Sequence, residues 1–279
     1  MLTKVVGYLA CPVCGRDLSL TGSTVRCADG HTFDVARQGY ANLLPGDTKP
    51  GMGDTAAMVA AREEFLRAGH YAPILREVVA QSEREDGAEP GCVIDLGAGT
   101  GFYLAAVLDR YPERVGVALD VSKYAARRAA RAHERMGAVV CNVWRRLPVR
   151  SETAALVLNV FSPRNGEEIR RVLRADGSLV VVVPTERHLE GLVEVLGLVT
   201  VDARKEERLR DELDPYFDPA TTATCEFSMQ LFHHELETLV AMGPSARHTD
   251  AAATKERVGN LPAPTIVTAS VTVTSYRPR

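Results

Sequence analysis

The glycine-rich segment DLGAGTG, residues 95–101, constrains the fold of this chain more than any other feature. It ends the apolar run Cys92–Leu96 and is followed by a helical pattern over Phe102–Arg110. Gly97 and Gly99 allow the backbone to pass close to a ligand, and the start of the helix offers unpaired N–H groups. A strand, a tight glycine turn and a helix in this order are typical of α/β folds that bind nucleotide-like ligands at the ends of their strands.

The remainder of the chain after residue 91 alternates apolar runs with helical patterns. Strands are predicted at 92–96, 115–120, 138–141, 154–160 and 179–183, and helices at 102–110, 122–136 and 166–174. Continuous apolar strands between helices predict a parallel sheet that is covered on both faces. Near the C-terminus, residues 265–276 alternate as an edge strand does, with 222–232 as an antiparallel partner. Between these two, we expect a helix at 235–242 and a loop-rich insertion at 243–264.

The glycine segment departs from a dinucleotide-binding fingerprint, because its third glycine position holds Phe102. With its leading Asp95 it is instead similar to the pattern of class I, Rossmann-like methyltransferases, which use S-adenosylmethionine. Asp120 ends the second strand, where a carboxylate accepts hydrogen bonds from ribose hydroxyls. Asn142 follows the third strand, where such enzymes usually contact adenine. We therefore predict an α/β fold with a mixed seven-stranded sheet and a cofactor site formed by Asp95, Gly97, Gly99, Thr100, Gly101, Asp120 and Asn142.

A second motif, at the N-terminus, has the spacing of a zinc site. Cys11, Cys14, Cys27 and His31 follow the pattern C-x2-C-x12-C-x3-H. Two cysteines on one tight turn bind an ion from one side, and a hairpin returns the second pair to complete a tetrahedron. Half of the six cysteines lie in the first 27 residues, which favours metal binding over disulfides. Because protein atoms fill all four positions, a structural zinc ion is predicted; three buried thiols with a surface histidine would leave the turn unexplained.

Both motifs occur together in a known family. The chain resembles the bacterial 23S rRNA guanine-N1-methyltransferases, including those linked to tylosin resistance in macrolide-producing actinomycetes. The similarity extends from residue 8 to about residue 190 and weakens beyond it. It is carried by the segments CPVCG, CADGHTFDVARQGYANLLP, GDTAAMVAAREEFLRAGHYAPI, VIDLGAGTGFY, ALDVSK and FSPRNGEEIRRVLRADGSLVVVVPTERHL.

The resemblance implies a substrate, an assembly and further site residues. It implies methylation of N1 of one guanine in a hairpin loop of domain II of 23S rRNA, resistance to tylosin-type macrolides, and a homodimer that clasps the RNA. It implies the same four zinc ligands and cofactor contacts at Tyr71, Gly99, Thr100 and His188. Some relatives have an acidic residue at the Thr100 position, which should alter one contact and not the reaction. Without the resemblance, Tyr71 reads as a packed aromatic residue and His188 as a helix-start residue.

The sequence also predicts where RNA is held. A base pocket is expected at residues 159–164, with Phe161 stacking on the guanine and Asn159 reading its edge; the alternatives are a core phenylalanine and a strand-capping asparagine. The proton acceptor for N1 is not identified. Arginine candidates for RNA contact, the last three of which flank Trp144, are Arg16, Arg26, Arg37, Arg127, Arg128, Arg131, Arg145, Arg146 and Arg150. The 127–131 group reads equally well as a solvated helix face.

We divide the chain into a zinc-binding RNA-recognition domain at 1–45, a linker with connecting helices at 46–90, and a methyltransferase domain at 91–279. The linker is the segment GDTKPGMGD at 46–54, and helices are expected at 55–70 and 73–84. The net charge of −3 argues against non-specific nucleic-acid binding, so no DNA partner is expected. Without a long apolar run or a signal peptide, we expect a cytoplasmic protein with no membrane contact.

Two other functions stay open at this point. One is a methyltransferase for a small metabolite in which zinc only holds a lid. The other is a non-catalytic zinc protein that binds RNA and retains a cofactor fold. Arginines within the zinc module speak against the first, and the intact 95–101 segment with Asp120 speaks against the second.

Overall fold

The computed structural model describes residues 1–44, 53–84, 91–198 and 205–279, so most of the predicted 46–54 linker lies outside the described residues. None of the helices in these ranges is long and apolar enough to cross a lipid bilayer. The α-helices are α1 (Leu2–Val5), α2 (Ala56–Arg67), α3 (Ala72–Arg84), α4 (Phe102–Arg110), α5 (Lys123–Ala129), α6 (Gly166–Val172), α7 (Leu192–Leu196), α8 (Lys205–Leu213), α9 (His233–Met242) and α10 (Ala251–Gly259). The strands are β1 (Leu18–Thr21), β2 (Thr24–Cys27), β3 (Thr32–Asp34), β4 (Ala41–Asn42), β5 (Cys92–Leu96), β6 (Val115–Asp120), β7 (Met136–Val140), β8 (Ala154–Val160), β9 (Leu173–Pro184), β10 (Phe217–Leu231) and β11 (Thr265–Pro278).

The large sheet has the strand order β10-β11-β9-β8-β5-β6-β7-β4. Strands β7, β6, β5, β8 and β9 run parallel, whereas β11 is antiparallel to β9 and β10 is antiparallel to β11. The sheet is mixed, as predicted, and it contains all seven predicted strands. An eighth strand was not predicted: the two-residue β4 pairs with β7 through Ala41 and Val139. So short a strand has no periodicity by which the sequence could indicate it.

Several elements differ in their bounds from the sequence prediction. Helix α5 ends at Ala129, well before residue 136, because Met136 already begins β7. The guanidinium of Arg135 holds the turn between them by donating to the carbonyl oxygens of Pro112 and Arg114 at 2.8 Å. The expected loop at 243–264 contains α10, which begins after Asp250, whose side chain accepts from the Ala252 N–H at 3.1 Å.

The N-terminal region packs against the large sheet instead of standing apart from it. Strands β1, β2 and β3 form a small antiparallel sheet of their own. Helix α1, however, lies against β7, where Val5 is so close that a Cβ on Gly137 would overlap its side chain. Leu9 forms an isolated bridge with Val149 and is fully buried. Hydrophobic burial therefore joins the zinc module to the catalytic sheet through one continuous core.

Helix α2 lies at the carboxyl ends of the central strands, whereas α3 packs against the sheet beside α4. Thr55 caps α2, its hydroxyl accepting from the Met58 N–H at 3.2 Å. Helix α2 packs against α9, and α3 packs against α4, β10 and β11. The turn between α2 and α3 carries Tyr71, which is buried against the main core. This packing brings α2 and Tyr71 to the site described next.

Candidate functional site

A cavity of about 450 Å³ opens where strands β5, β6, β7 and β8 end. Ligands of open α/β sheets bind at this edge, and ligand cavities have volumes on the order of 300–1,000 Å³. One wall is the glycine segment and the strand ends; the other is formed by α2, by Gly53 and Asp54, and by residues 242–247 after α9. The predicted cofactor residues that line it are Tyr71, Asp95, Gly97, Gly99, Thr100, Asp120 and Asn142, whereas Gly101 and His188 do not.

The glycine segment adopts a backbone that other residues tolerate poorly. Gly97, Gly99 and Gly101 have φ angles of 68°, 55° and 80°. This is the left-handed region that glycine adopts without steric cost. At Gly97 a Cβ would also overlap the hydroxyl of Ser162, which follows β8. Glycine is therefore required here both by the turn and by the close approach of two loops.

Asp120 has the geometry of a ribose ligand. Its Oδ2 accepts from the Gly99 N–H at 2.8 Å and its Oδ1 from the Ser122 N–H at 2.7 Å. Burial raises the pKa of this carboxyl, and the two backbone hydrogen bonds oppose that rise. Each carboxylate oxygen keeps lone-pair capacity toward the cavity, because an ionised carboxylate has about four acceptor sites. The loop is thus fixed to Asp120 in a way that leaves the carboxylate available to ribose hydroxyls.

Asp95 supplies an unsatisfied acceptor in the same cavity. The side chain is 2% exposed, and its Oδ2 has no hydrogen-bond partner among the described residues. Burial, and then the charge of Asp120, raises the pKa of Asp95 well above its ordinary value. A buried polar atom without a partner is costly unless a ligand provides one. A cofactor that carries a cationic amino group, such as S-adenosylmethionine, fits this acceptor.

Asn142 positions the rim of the cavity. Its Oδ1 accepts from the Trp144 N–H at 3.0 Å, which holds the turn after β7. Both residues line the cavity, and the Trp144 side chain is 56% exposed there. Asn142 therefore lies in the cavity wall beside an exposed aromatic ring, and its contact with adenine stays a prediction.

Three aromatic rings meet at the opposite side of the cavity. The centroids of Tyr71 and Phe161 are 6.1 Å apart, those of Phe161 and His188 5.9 Å, and those of Tyr71 and His188 6.2 Å. Tyr71 and Phe161 line the cavity, whereas His188 lies behind them. Phe161 is 40% exposed and has a φ of 53°, which is unusual for a bulky residue. An exposed ring held in a strained backbone points to a functional position.

Asn159 does not lie where a base reader is needed. It is fully buried, its Nδ2 donates to the Pro163 carbonyl at 2.8 Å, and its Oδ1 accepts from Arg164 Nε at 3.1 Å. Both ends of the amide are used to hold the 159–164 turn. Of the two base-pocket candidates, only Phe161 faces the cavity, and Asn159 supports the loop that presents it.

The four predicted zinc ligands converge at one point. Their ligand atoms all lie within 4.8 Å of one another. The Sγ atoms of Cys14 and Cys27 are 3.7 Å apart, and His31 Nδ1 is 3.7 Å from Cys11 Sγ and 3.3 Å from Cys27 Sγ. A tetrahedron with Zn–S bonds of about 2.3 Å has edges of about 3.8 Å between sulfur atoms. The side chains are already arranged for a tetrahedral zinc ion.

Four of the predicted RNA-contact arginines make contacts that bear on their role: three form ion pairs, and one lies against the zinc turn. Ion pairs join Arg16 to Asp29 at 2.8 Å, Arg128 to Glu63 at 2.7 Å, and Arg150 to Asp17 at 3.2 Å. Arg128 thus joins α5 to α2, a packing role that neither the RNA-contact prediction nor the solvated-face alternative included. Arg146 instead lies against the zinc turn, where a Cβ on Gly15 would be 3.4 Å from its Nη2.

The cavity wall also contains four residues that no sequence pattern predicted there: Asp54, Arg62, Tyr103 and Arg247. Asp54 pairs with Arg62 at 2.5 Å and with Arg247 at 3.3 Å. On an amphipathic helix a charged residue ordinarily reads as solvent-facing, and only the packing of α2 against α9 turns Arg62 inward. No local signal in the sequence marks these residues.

Comparison with known proteins agrees with this geometry. Residues 9–51 match the zinc-ribbon family described as RlmA, N-terminal, and residues 93–177 match a methyltransferase domain family. Over its full length the chain is 48% identical to the 23S rRNA (guanine(748)-N(1))-methyltransferase of Streptomyces fradiae, covering 99% of that protein. The chain belongs to the 23S rRNA guanine-N1-methyltransferase family. A Micromonospora griseorubida protein assigned to the same activity is 51% identical, with both chains fully covered.

More distant similarity is informative about the fold alone. A Bacillus subtilis protein assigned to this family is 32% identical over 67% of each chain. Among solved structures, the MccD protein has a TM-score of 0.50 at 14% identity, covering 73% of this chain and 96% of that one. The Haloferax volcanii complex of a methyltransferase with its Trm112 activator has a TM-score of 0.52 at 18% identity, covering 81% and 98%. These support a Rossmann-like methyltransferase fold.

As a 23S rRNA guanine-N1-methyltransferase, the protein uses S-adenosylmethionine as methyl donor and carries a zinc ribbon. The family confirms the fold, the enzyme class and both cofactors that the sequence predicted. A non-catalytic RNA-binding protein and a small-metabolite methyltransferase are not favoured, since full-length similarity to rRNA methyltransferases includes both domains. The role of each site residue follows from the geometry above and is argued below.

Proposed function

We propose that this enzyme methylates N1 of one guanine in a hairpin loop of domain II of 23S rRNA, the guanine that corresponds to position 748 in the name of the Streptomyces fradiae relative. Resistance to tylosin-type macrolides is the expected phenotype. The observation that carries the proposal is the adjacency of the two motifs. Arg146 contacts the zinc turn at Gly15, and two positions away Trp144 stands at the rim of the methyl-donor cavity.

The cavity holds the methyl donor in one orientation. S-adenosylmethionine supplies an electrophilic methyl group on its sulfonium. Asp120 would hold the ribose hydroxyls, the Asn142 turn would lie against adenine, and Asp95 would accept from the amino group. Tyr71 and His188 stay proposals as cofactor contacts: Tyr71 lines the cavity, and His188 fixes Tyr71 from behind.

Phe161 is proposed as the platform for the target guanine. Its ring is exposed at the cavity mouth, and the Tyr71 and His188 rings support it. A guanine in a hairpin loop is splayed out at a cost of a few kcal/mol, least when it is unpaired. Stacking on Phe161 would align N1 with the methyl group, and such alignment supplies much of the rate enhancement.

Nucleotides flanking the target are proposed to lie along the surface from Trp144 to the zinc turn. Trp144, Arg145 and Arg146 are consecutive and exposed. An exposed aromatic ring next to arginines suits base stacking combined with phosphate contact. The zinc ribbon would therefore recognise the RNA, and the sheet would carry the chemistry.

The proposed substrate has two consequences for the protein in the cell. An enzyme that modifies ribosomal RNA of a bacterium acts in the cytoplasm, where we place it. A homodimer that clasps the RNA stays a prediction, for which molar mass from light scattering during size-exclusion chromatography is the direct measurement.

The decisive experiment is methylation of unmodified 23S rRNA with S-adenosylmethionine labelled on its methyl group. We expect label at one guanine N1 in the domain II hairpin, mapped by nuclease digestion and mass spectrometry. Label at another base would contradict the proposed target and leave a methyltransferase. Absence of label on RNA, with S-adenosylhomocysteine binding intact, would contradict the rRNA substrate.

A further inference from the structure

Helix α5 and the turn after it carry a row of basic side chains that the packing of the fold does not use. Lys123, Arg127 and Arg131 follow one another at four-residue spacing, and all three are exposed. Residues at this spacing lie on the same side of a helix, about 6 Å apart along its axis. Within the described part of the chain none of the three forms an ion pair, whereas neighbouring Arg128 is paired with Glu63 at 2.7 Å.

The row continues into the N-terminal region. Residues 36–40 form a tight turn, in which the Gly39 N–H donates to the Ala36 carbonyl at 2.8 Å. A Cβ on Gly39 would lie 3.9 Å from the Cβ of Ala130, so this turn adjoins the end of α5. Arg37 is exposed in the turn and has no ion pair among the described residues. Four exposed cations thus form one surface, the α5 stripe: Lys123, Arg127, Arg131 and Arg37.

The α5 stripe begins at the mouth of the methyl-donor cavity. Val121 lines the cavity, and Lys123 follows it by two positions. Beside Lys123 the ring of Tyr124 is 40% exposed, and Lys123 Nζ lies 5.3 Å from the centroid of that ring. An exposed aromatic ring among basic side chains offers a base a stacking surface next to contacts for phosphates.

The α5 stripe and the zinc turn lie on opposite faces of the large sheet. In β7, Ala138 packs in the core cluster that contains Ala126 of α5, whereas Val139 packs in the cluster that contains the zinc ligand Cys11. Successive residues of a strand point to opposite faces of the sheet. The cavity at the strand ends therefore lies between the α5 stripe on one face and the surface from Trp144 to the zinc turn on the other.

Folding of the chain does not account for the α5 stripe. Like charges four residues apart on a helix repel each other and destabilise it. A solvated helix face usually mixes both signs of charge, and this chain has a net charge of −3, so an unmixed row of cations departs from its composition. A polyanion bound along the row would remove the repulsion. Evenly spaced cations suit the regularly spaced phosphates of a nucleic-acid strand.

We propose that the α5 stripe binds the phosphates of the RNA on one side of the target guanine, while the RNA on the other side passes Trp144 and the zinc turn. The inference rests on the proposed rRNA substrate. A nucleotide in the cavity is joined to its strand at both its 5′ and its 3′ phosphate, so the two arms of the hairpin leave the cavity in different directions. Each surface holds one arm, and together they fix the register of the loop on the enzyme.

The test measures binding of a fluorescently labelled domain II hairpin transcript to the full-length protein at several salt concentrations, together with methylation of the same transcript. In the triple variant Lys123→Gln, Arg127→Gln, Arg131→Gln we expect Kd to rise by about 10- to 100-fold at about 0.15 M salt. The slope of log Kd against log salt should fall in magnitude by about 2, the loss for three phosphates of a single strand. At saturating RNA, kcat should stay within about twofold of wild type, because the cavity is unchanged.

A second triple variant is the matched control, because it removes the same number of positive charges from exposed residues on α2, α3 and α10: Arg67→Gln, Arg76→Gln and Lys255→Gln. It should bind the hairpin with the affinity and the salt slope of wild type. Circular dichroism melting checks that both variants are folded. The variant of the α5 stripe should be no less stable than wild type, since it relieves repulsion between like charges.

Hydroxyl-radical footprinting of the hairpin distinguishes the two surfaces. The variant of the α5 stripe should lose protection on one side of the target guanine, and Trp144→Ala should lose it on the other side. Equal loss of affinity in the two triple variants would overturn the proposal, because only net charge would then matter. An unchanged salt slope, or loss of protection on the same side in both footprints, would overturn it as well. If wild type binds the hairpin through the α5 stripe and does not methylate it, the proposed function fails and the α5 stripe stands.

Discussion

Tyr71 and His188 are joined by a hydrogen bond of 3.3 Å between Oη and Nε2, although 117 positions separate them in the chain. The Ser270 N–H donates to His188 Nδ1 at 3.2 Å, which makes Nδ1 the acceptor in a neutral ring. The proton therefore resides on Nε2, which donates to the Tyr71 hydroxyl. Strand β11 thus orients the histidine, and the histidine orients the tyrosine that lines the cavity.

Replacing Tyr71 with phenylalanine tests the hydrogen bond between Tyr71 and His188. Tyr71→Phe removes the hydroxyl that accepts from His188 Nε2, so we expect the free energy of unfolding to fall by about 1 kcal/mol. Urea denaturation measures the change, and Tyr124→Phe, at a side chain 40% exposed, is the matched control. Equal stability of Tyr71→Phe and wild type would show that the hydrogen bond contributes nothing to the fold.

Backbone strain at Phe161 leads to a second prediction. A left-handed backbone costs a non-glycine residue about 1–2 kcal/mol, so Phe161→Gly should be more stable than Phe161→Ala by about 1 kcal/mol. Both variants lose the ring and should lose kcat/KM on RNA to a similar extent. Urea denaturation and initial methylation rates are the measurements. Full activity in either variant would contradict the role of Phe161 as the guanine platform.

Trp144→Ala should separate RNA binding from cofactor binding. Loss of a stacked base costs about 1–3 kcal/mol, so we expect kcat/KM for RNA to drop by about 10- to 100-fold. Binding of S-adenosylhomocysteine should stay within about threefold of wild type, and Trp144→Phe should recover part of the RNA activity. If Trp144→Ala weakens the cofactor analogue as strongly as RNA turnover, the ring stacks on adenine and not on RNA.

The zinc site gives a fourth prediction. Cys14→Ser should lose the metal, measured by atomic absorption, together with RNA methylation, while binding of S-adenosylhomocysteine largely survives. The melting temperature should also fall, because Cys11 and Cys27 belong to the core shared with the catalytic sheet. Cys225→Ser, outside the cluster, is the control. Equal loss of cofactor binding and RNA methylation would show that the whole fold needs zinc.

The raised pKa of Asp95 predicts how the free energy of unfolding depends on pH. Its pKa is raised in the folded protein, so its stabilising contribution is complete below the unfolded pKa of about 3.9 and is lost as pH rises through the folded pKa. Asp95→Asn removes that loss. Without cofactor, the variant should gain stability relative to wild type as pH rises from 5 to 8 in urea denaturation. A difference that does not change with pH would contradict the raised pKa.

Local backbone geometry explains what could be predicted. The residues of the glycine turn, and those of each pair of zinc ligands, lie within a few positions of one another in the chain. Their chemistry is therefore visible in the sequence. Asp120 was predicted for the same reason, since a carboxylate at the end of a parallel strand lies beside the ligand site that the strand ends form. Asn159 shows the limit: its residue type allowed base reading, but Arg164 and Pro163 take up both ends of its amide.

By itself the sequence determined the zinc ligands, the methyl-donor loop and the positions of the central strands along the chain, because each depends on short-range spacing or on the alternation of strands and helices. Only the tertiary structure decided that β4 joins the large sheet, that Arg62 turns into the cavity, and that Trp144 stands between the cavity and the zinc turn. These features depend on which helix face or strand edge meets a distant partner. Packing of the whole chain sets that choice, and no local pattern records it.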